Sequence, residues 1–216
     1  MTGASWPEPP GWPERPDYPY PPLRPEPRRE GPVMVPIVDF PSGDLEVRLF
    51  RRRRVLVSGP LDAETANRVS IELMALDGRS GDNVELYINS DGGPLADVLT
   101  VLDVVGLMRA RVRTVCIGRA KGTAAVLLAC GTGGRRAAPH AMISLRCSHT
   151  ERIEGPPEQL RRRLDDLELV RHHVVAALVS ATGQPAASLI DQLDHGPLLD
   201  SQQAKQVGLI DDVDTG

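Results

Sequence analysis

From about residue 45 the apolar positions switch repeatedly between a two-residue alternation and a three-to-four-residue spacing, the alternation of strand and helix. Arg54-Val55-Leu56-Val57-Ser58-Gly59 reads as a strand that stops at Gly-Pro. Ala66, Val69, Leu73 and Leu76 then share one helical face, which predicts a helix from Asp62 to Leu76 with Asp62 as its N-cap. Val84 to Asn89 reads as a second strand, closed by the turn Ser90-Asp91-Gly92-Gly93. A helix over 94–108 follows, with proline in its first turn. Arg113 to Gly118 reads as a third strand. Thr123 to Cys130 is apolar all round, which predicts a short, fully buried helix ending at Gly131. Short strands are expected within 135–146, a long helix over 157–181 with Leu160, Leu164, Leu167, Val174 and Leu178 on one stripe, and a last helix near 200–206. Strand–helix alternation of this kind predicts an α/β domain built on a parallel sheet with right-handed crossovers.

Residues 1–36 break the pattern. Proline recurs at about every third position, and proline fixes φ and removes a backbone donor. A disordered or semi-rigid tail is therefore expected over 1–36, ahead of a single domain over 37–216. The tail holds Trp6, Trp12, Tyr18 and Tyr20, which suit it to docking, and a PxxP match at residues 22–25 that such a composition makes almost by itself.

Bulk properties narrow the classes. With 25 basic and 29 acidic residues, the net charge of −4 calls for neither nucleic acid nor an anionic membrane as partner. The arginine runs at 51–54 and 161–163 have acidic neighbours and read as ion-paired or solvated surface. No apolar run approaches the roughly 20 residues of a membrane span, and no signal sequence is evident at the start of this chain. Three scattered cysteines, Cys116, Cys130 and Cys147, form no CxxC pair and fit a reducing, cytoplasmic setting.

Five segments in order then resemble the proteolytic subunit of the Clp protease family, across roughly residues 45–213. YINSDGG (87–93) resembles that family's Tyr-Ile-Asn-Ser-Pro-Gly-Gly turn. CIGRAKGTAAVLLACG (116–131) resembles the segment bearing the nucleophilic serine, and the stretch from Arg136 to Arg146 the segment bearing the catalytic histidine. ATGQP (181–185) matches the end of the helix that joins the family's rings, and AKQVGLID (204–211) its C-terminal signature. The resemblance implies a superhelix of strand-turn-helix units shared with the crotonase class, a long ring-interface helix, and two stacked seven-membered rings. It also implies a barrel made alone or with active paralogues, and docking of a Clp ATPase unfoldase.

Carried over residue by residue, the resemblance places its serine, histidine and aspartate at Gly122, Arg146 and Gly196. A serine-type triad needs an oxygen nucleophile, a neutral imidazole and an orienting carboxylate. Glycine supplies none of these, and arginine stays protonated at working pH. The expectation is an inactive structural or regulatory subunit, with no cofactor and no metal. Its oxyanion-like pocket would be built from Gly92, Gly93 and Thr123, with Lys121 and Arg146 able to fill it or to bind an anion. Two alternatives stay open: a peptidase with a rearranged site using Thr123 or Ser144 with His140, His149 or His195 as base, and a crotonase-like acyl-CoA binder. Cys147 and His149 alternate onto one strand face, but two ligands do not make a zinc site. His195-Gly196 stands where the family has an arginine and its catalytic acid, so the clasp that this arginine makes across the rings is expected to differ.

Overall fold

The computed structural model describes residues 42–77, 82–147 and 156–215, and the tail at 1–36, its PxxP match and His149 lie outside them. The elements run α1 (Ser42–Arg51), β1 (Arg54–Pro60), α2 (Ala63–Asp77), β2 (Val84–Gly92), α3 (Leu95–Leu107), β3 (Val112–Lys121), α4 (Thr123–Ala129), β4 (Arg135–Ala137), β5 (Met142–Ser144), α5 (Pro157–Thr182), α6 (Ala186–His195), β6 (Leu199–Asp200), α7 (Ser201–Gln206) and β7 (Asp212–Val213). β1, β2, β3, β4 and β7 lie side by side, all parallel. The mixed α/β domain and its parallel-rich sheet are as the periodicity predicted.

The core lies between one face of the sheet and α2, α3 and α4. Val55, Val57, Leu86 and Ile88 point into it from alternating positions of β1 and β2. Val69, Leu73, Val98 and Val101 meet them from the helices. Every residue of α4 is buried, as its unbroken apolar sequence requires. Asp62 caps α2, its Oδ1 accepting from Thr65 N at 2.9 Å.

β3 departs from expectation in length. The sequence pattern ends this strand at Gly118, yet the strand continues to Lys121. Gly118 has φ +80° and a Cβ there would lie 3.0 Å from Asn89 Oδ1, so glycine makes a bulge rather than a stop. Beyond it β3 changes neighbour. Thr114–Cys116 pair with β4, and Arg119–Lys121 pair with β5, which in turn meets β6 antiparallel.

Two helices were not foreseen. α6 begins after Gly183, which ends α5 in the left-handed conformation at φ 69°, and after Pro185 at its N-cap. It buries only Leu189 and Leu193, while Ile190 is exposed. α1 lies at the edge of the described chain, where the reading began only at about residue 45. The α5 stripe divides. Val174 and Leu178 are buried, whereas Leu164 is 54% exposed and lies in the helix's outlying first half.

The C-terminal strand is clamped by one arginine. Arg135 Nε donates to Asp211 Oδ1 at 3.1 Å, its Nη1 to Gly208 O at 3.0 Å, and Asp211 N returns a bond to Arg135 O at 2.8 Å. The side-chain hydrogen bond from Arg135 is the main reason that the Asp211 carboxyl is held below its ordinary range. A carboxyl depressed in the folded state contributes stability above its unfolded value of about 3.9, and that contribution is lost as pH falls through the lower folded value. Arg135→Ala is therefore expected to cost about 1–2 kcal/mol at pH 7, with the difference shrinking below about pH 4. Urea unfolding of both proteins at pH 7 and pH 3 measures this, and an equal loss at both would contradict it.

Candidate active-site region

The end of β3, the turn after β2 and the segment after β5 converge on Gly122. Its N–H donates to Ser144 O at 2.8 Å, extending the β3–β5 pairing by one residue, and its carbonyl accepts from Ala125 N and Val126 N to start α4. The backbone there has φ 53° and ψ −124°, a conformation seldom adopted with a side chain. Space is not the obstacle. A Cβ on Gly122 would meet Arg146 O and Cys147 Sγ at 3.6 Å, ordinary contact distances. The strand-to-helix elbow thus has a shape that glycine adopts freely and other residues seldom do, with open space where a side chain would stand.

Arg146 follows β5. Its carbonyl faces the Gly122 position, while its side chain is exposed and makes no hydrogen bond or ion pair with a described residue. Gly196 is buried at the end of α6, where its N–H donates to Gln192 O at 2.9 Å. A Cβ at 196 would lie 2.3 Å from that same oxygen, so this backbone has no place for an acidic side chain. α6 is held against the segment after β5 by Cys147 N donating to Leu193 O at 2.9 Å.

The Gly92-Gly93 turn packs backbone against backbone. A Cβ on Gly93 would lie 2.0 Å from Leu61 O, and one on Gly92 2.5 Å from Lys121 O. Both N–H groups have acceptors within the chain. Gly92 N donates to Ser90 Oγ at 3.0 Å, and Gly93 N to Thr123 Oγ1 at 2.8 Å. The Thr123 hydroxyl donates back to Gly93 O at 3.2 Å. Ser90 lies two residues before its donor, a local pattern visible in sequence. Thr123 lies 30 residues away from its own, and nothing local announces that contact.

The remaining candidates are dispersed. Ser144 is buried beside Lys121 in the β3–β5 pairing, and its Oγ accepts from Arg146 N at 3.3 Å. His140, His172, His173 and His195 are exposed, and none bonds to the Thr123 or Ser144 hydroxyl. Lys121 does not turn into the site: its Nζ pairs with Asp91 at 3.1 Å, alongside Arg119. Arg54, the last of the first arginine run, shares Glu85 with Arg113 at 2.9 and 3.5 Å, while Arg53 donates to the backbone carbonyls of Leu76, Asp82 and Asn83. Arg171 of α5 binds Asp194 of α6 within the chain, at 2.6 Å. Among the described residues no three His, Cys, Asp or Glu side chains group to hold a metal, and no single helix is long and apolar enough to cross a membrane.

Comparison with known proteins points the same way as the motifs. The family model described as Clp protease matches residues 42–216. Among curated proteins, "ATP-dependent Clp protease proteolytic subunit 1" of Thermobifida fusca is 31% identical over 168 residues, 77% of this chain and 76% of the relative. "Putative ATP-dependent Clp protease proteolytic subunit-like" of Streptomyces coelicolor is 35% identical over 178 residues, 81% and 84% of the two chains.

Cys147 is the sulfur nearest to the empty Gly122 position, and burial pushes its thiol up to about 11, against a smaller lowering by the Arg171 charge. The thiolate is the reactive form, so at pH 8 this cysteine should carry about a hundredfold less of it than an ordinary thiol. Iodoacetamide alkylation followed by peptide mass mapping is expected to modify Cys147 slowly at pH 8 and to accelerate towards pH 11. Rapid alkylation at neutral pH would show the thiol to be activated instead.

Proposed function

Because the chain belongs to the Clp protease family, we propose that it is a proteolytic-subunit homologue without peptidase chemistry, serving as a structural or regulatory member of a Clp-type barrel. The carrying observation is the elbow at Gly122: a strand-to-helix junction in a left-handed conformation, with open space beside the Cα and no side chain in it. Arg146 is a permanent cation in the place of a base. The backbone at Gly196 meets the Gln192 carbonyl where a carboxylate side chain would begin. Loss of the nucleophile alone removes about 10⁶-fold of rate in a comparable triad, about 8 kcal/mol of barrier.

The alternatives gain no support from contacts. The Thr123 and Ser144 hydroxyls are both bonded to backbone, and no described imidazole reaches either. No described contact favours an acyl-CoA ligand.

Assembly is supported by the outlying half of α5. Leu164 and Leu169 are 54% and 58% exposed there, apolar area that a neighbouring helix would cover. We place this helix at a contact between stacked seven-membered rings, with active paralogues as partners, an ATP-driven unfoldase as a further one, and the cytoplasm as the compartment. Arg171 and Asp194 satisfy one another within the chain, so ring docking would rest on apolar contact more than on a cross-ring ion pair.

Two measurements test this. The purified chain is expected to form no adduct with a fluorophosphonate and to leave a fluorogenic peptide uncleaved. A tagged chain drawn from its native host should bring active Clp subunits with it in a particle of barrel size. A covalent adduct would refute inactivity, and recovery as a lone monomer would refute the barrel role.

A further inference from the structure

We propose that Thr123 is a lock that closes the Gly92-Gly93 pocket to any incoming oxyanion or carboxylate, a second barrier to acyl chemistry that is independent of the missing nucleophile. The proposal deepens the inactive-subunit reading and rests on it for the identity of the pocket. A site of this kind works by holding backbone N–H groups free and aimed at developing negative charge. Each peptide has one N–H, so an N–H already spent within the chain is withdrawn from that task. Gly93 N is spent on Thr123 Oγ1 at 2.8 Å, and the same hydroxyl returns its own proton to Gly93 O at 3.2 Å. Both polar groups of one glycine are thus held by a single side chain, at the first residue of α4, directly after Gly122.

The lock cannot easily swing aside. Thr123 is 1% exposed, and as a β-branched residue it is stiff about χ1. A Cβ on Gly92 would lie 3.0 Å from Thr123 Oγ1, so the hydroxyl sits against the backbone of the turn itself. A ligand oxygen must displace a tethered acceptor that never leaves, whereas water in an open pocket exchanges freely. With the family's serine placed at Gly122, its Ala-Ser-Met-Gly motif falls on residues 121–124 and has methionine at position 123, whose thioether is only a weak acceptor.

The first test needs no activity. Hydrogen exchange of the Gly93 amide, read by NMR on the full chain, is expected to be at least tenfold faster in Thr123→Val than in the unaltered protein. It should stay slow in Thr123→Ser, which keeps the hydroxyl, with circular dichroism melts showing each variant folded. The second test restores a nucleophile and a base together through Gly122→Ser and Arg146→His. In reaction with a fluorophosphonate the introduced hydroxyl oxygen bonds to phosphorus, the P–F bond breaks, fluoride leaves and the proton passes to the introduced imidazole. Adding Thr123→Met to that pair is expected to raise the labelling rate at least tenfold. Unchanged Gly93 exchange in Thr123→Val, or equal labelling with and without Thr123→Met (no labelling of either included), overturns the lock. Labelling of the unaltered chain would overturn the inactive reading instead, and Gly93 exchange would still decide the role of Thr123.

Discussion

The bond from Gly122 N to Ser144 O, 2.8 Å long, is where the fold and the candidate site become one object. β3 can offer it only because the bulge at Gly118 lets the strand leave β4 and run on beside β5. That change of partner carries the end of β3 out of the main sheet and delivers it to the start of α4. It also brings the segment after β5, with Arg146 and Cys147, against the same point. Without the second pairing, α4 would still bury its apolar residues, but Gly92, Gly93, Thr123 and Ser144 would have no common frame.

Backbone and side-chain features at this frame separate along a physical line. The backbone features are a left-handed, tightly packed turn at Gly92, direct contact of Gly93 with Leu61, and a positive-φ elbow at Gly122. These belong to the packing of the sheet and cannot be discarded without unfolding part of it. The side chains are another matter. An elbow without a hydroxyl, an exposed arginine, and a helix end closed over its own carbonyl cost the fold little.

The charges follow the same division. Asp91 holds Lys121 and Arg119 at half-exposed positions, where each pair contributes about 0–1 kcal/mol. The Arg135–Asp211 clamp is more enclosed and combines side-chain and backbone bonds, so it does more to order the last strand. α5 divides likewise: its second half contributes Val174, Val175 and Leu178 to the core, and its first half presents leucines that no described residue covers.

Most of the element order was legible in sequence because it depends on local periods: α2, α3, β2, the buried α4 and the C-terminal helix fell close to their expected places. The family was legible too, through the order of its motifs along the chain. α6 was not, since two leucines after a proline give too short a period. Nor was the extent of β3, because a glycine in a strand reads alike as a stop or a bulge until its neighbour strand is placed. The Thr123–Gly93 pair lay furthest from view. Composition and spacing determine which groups a chain owns, but a hydrogen bond between residues 30 apart requires register, bulge and helix start to agree within tenths of an ångström, and only the folded sheet sets all three at once.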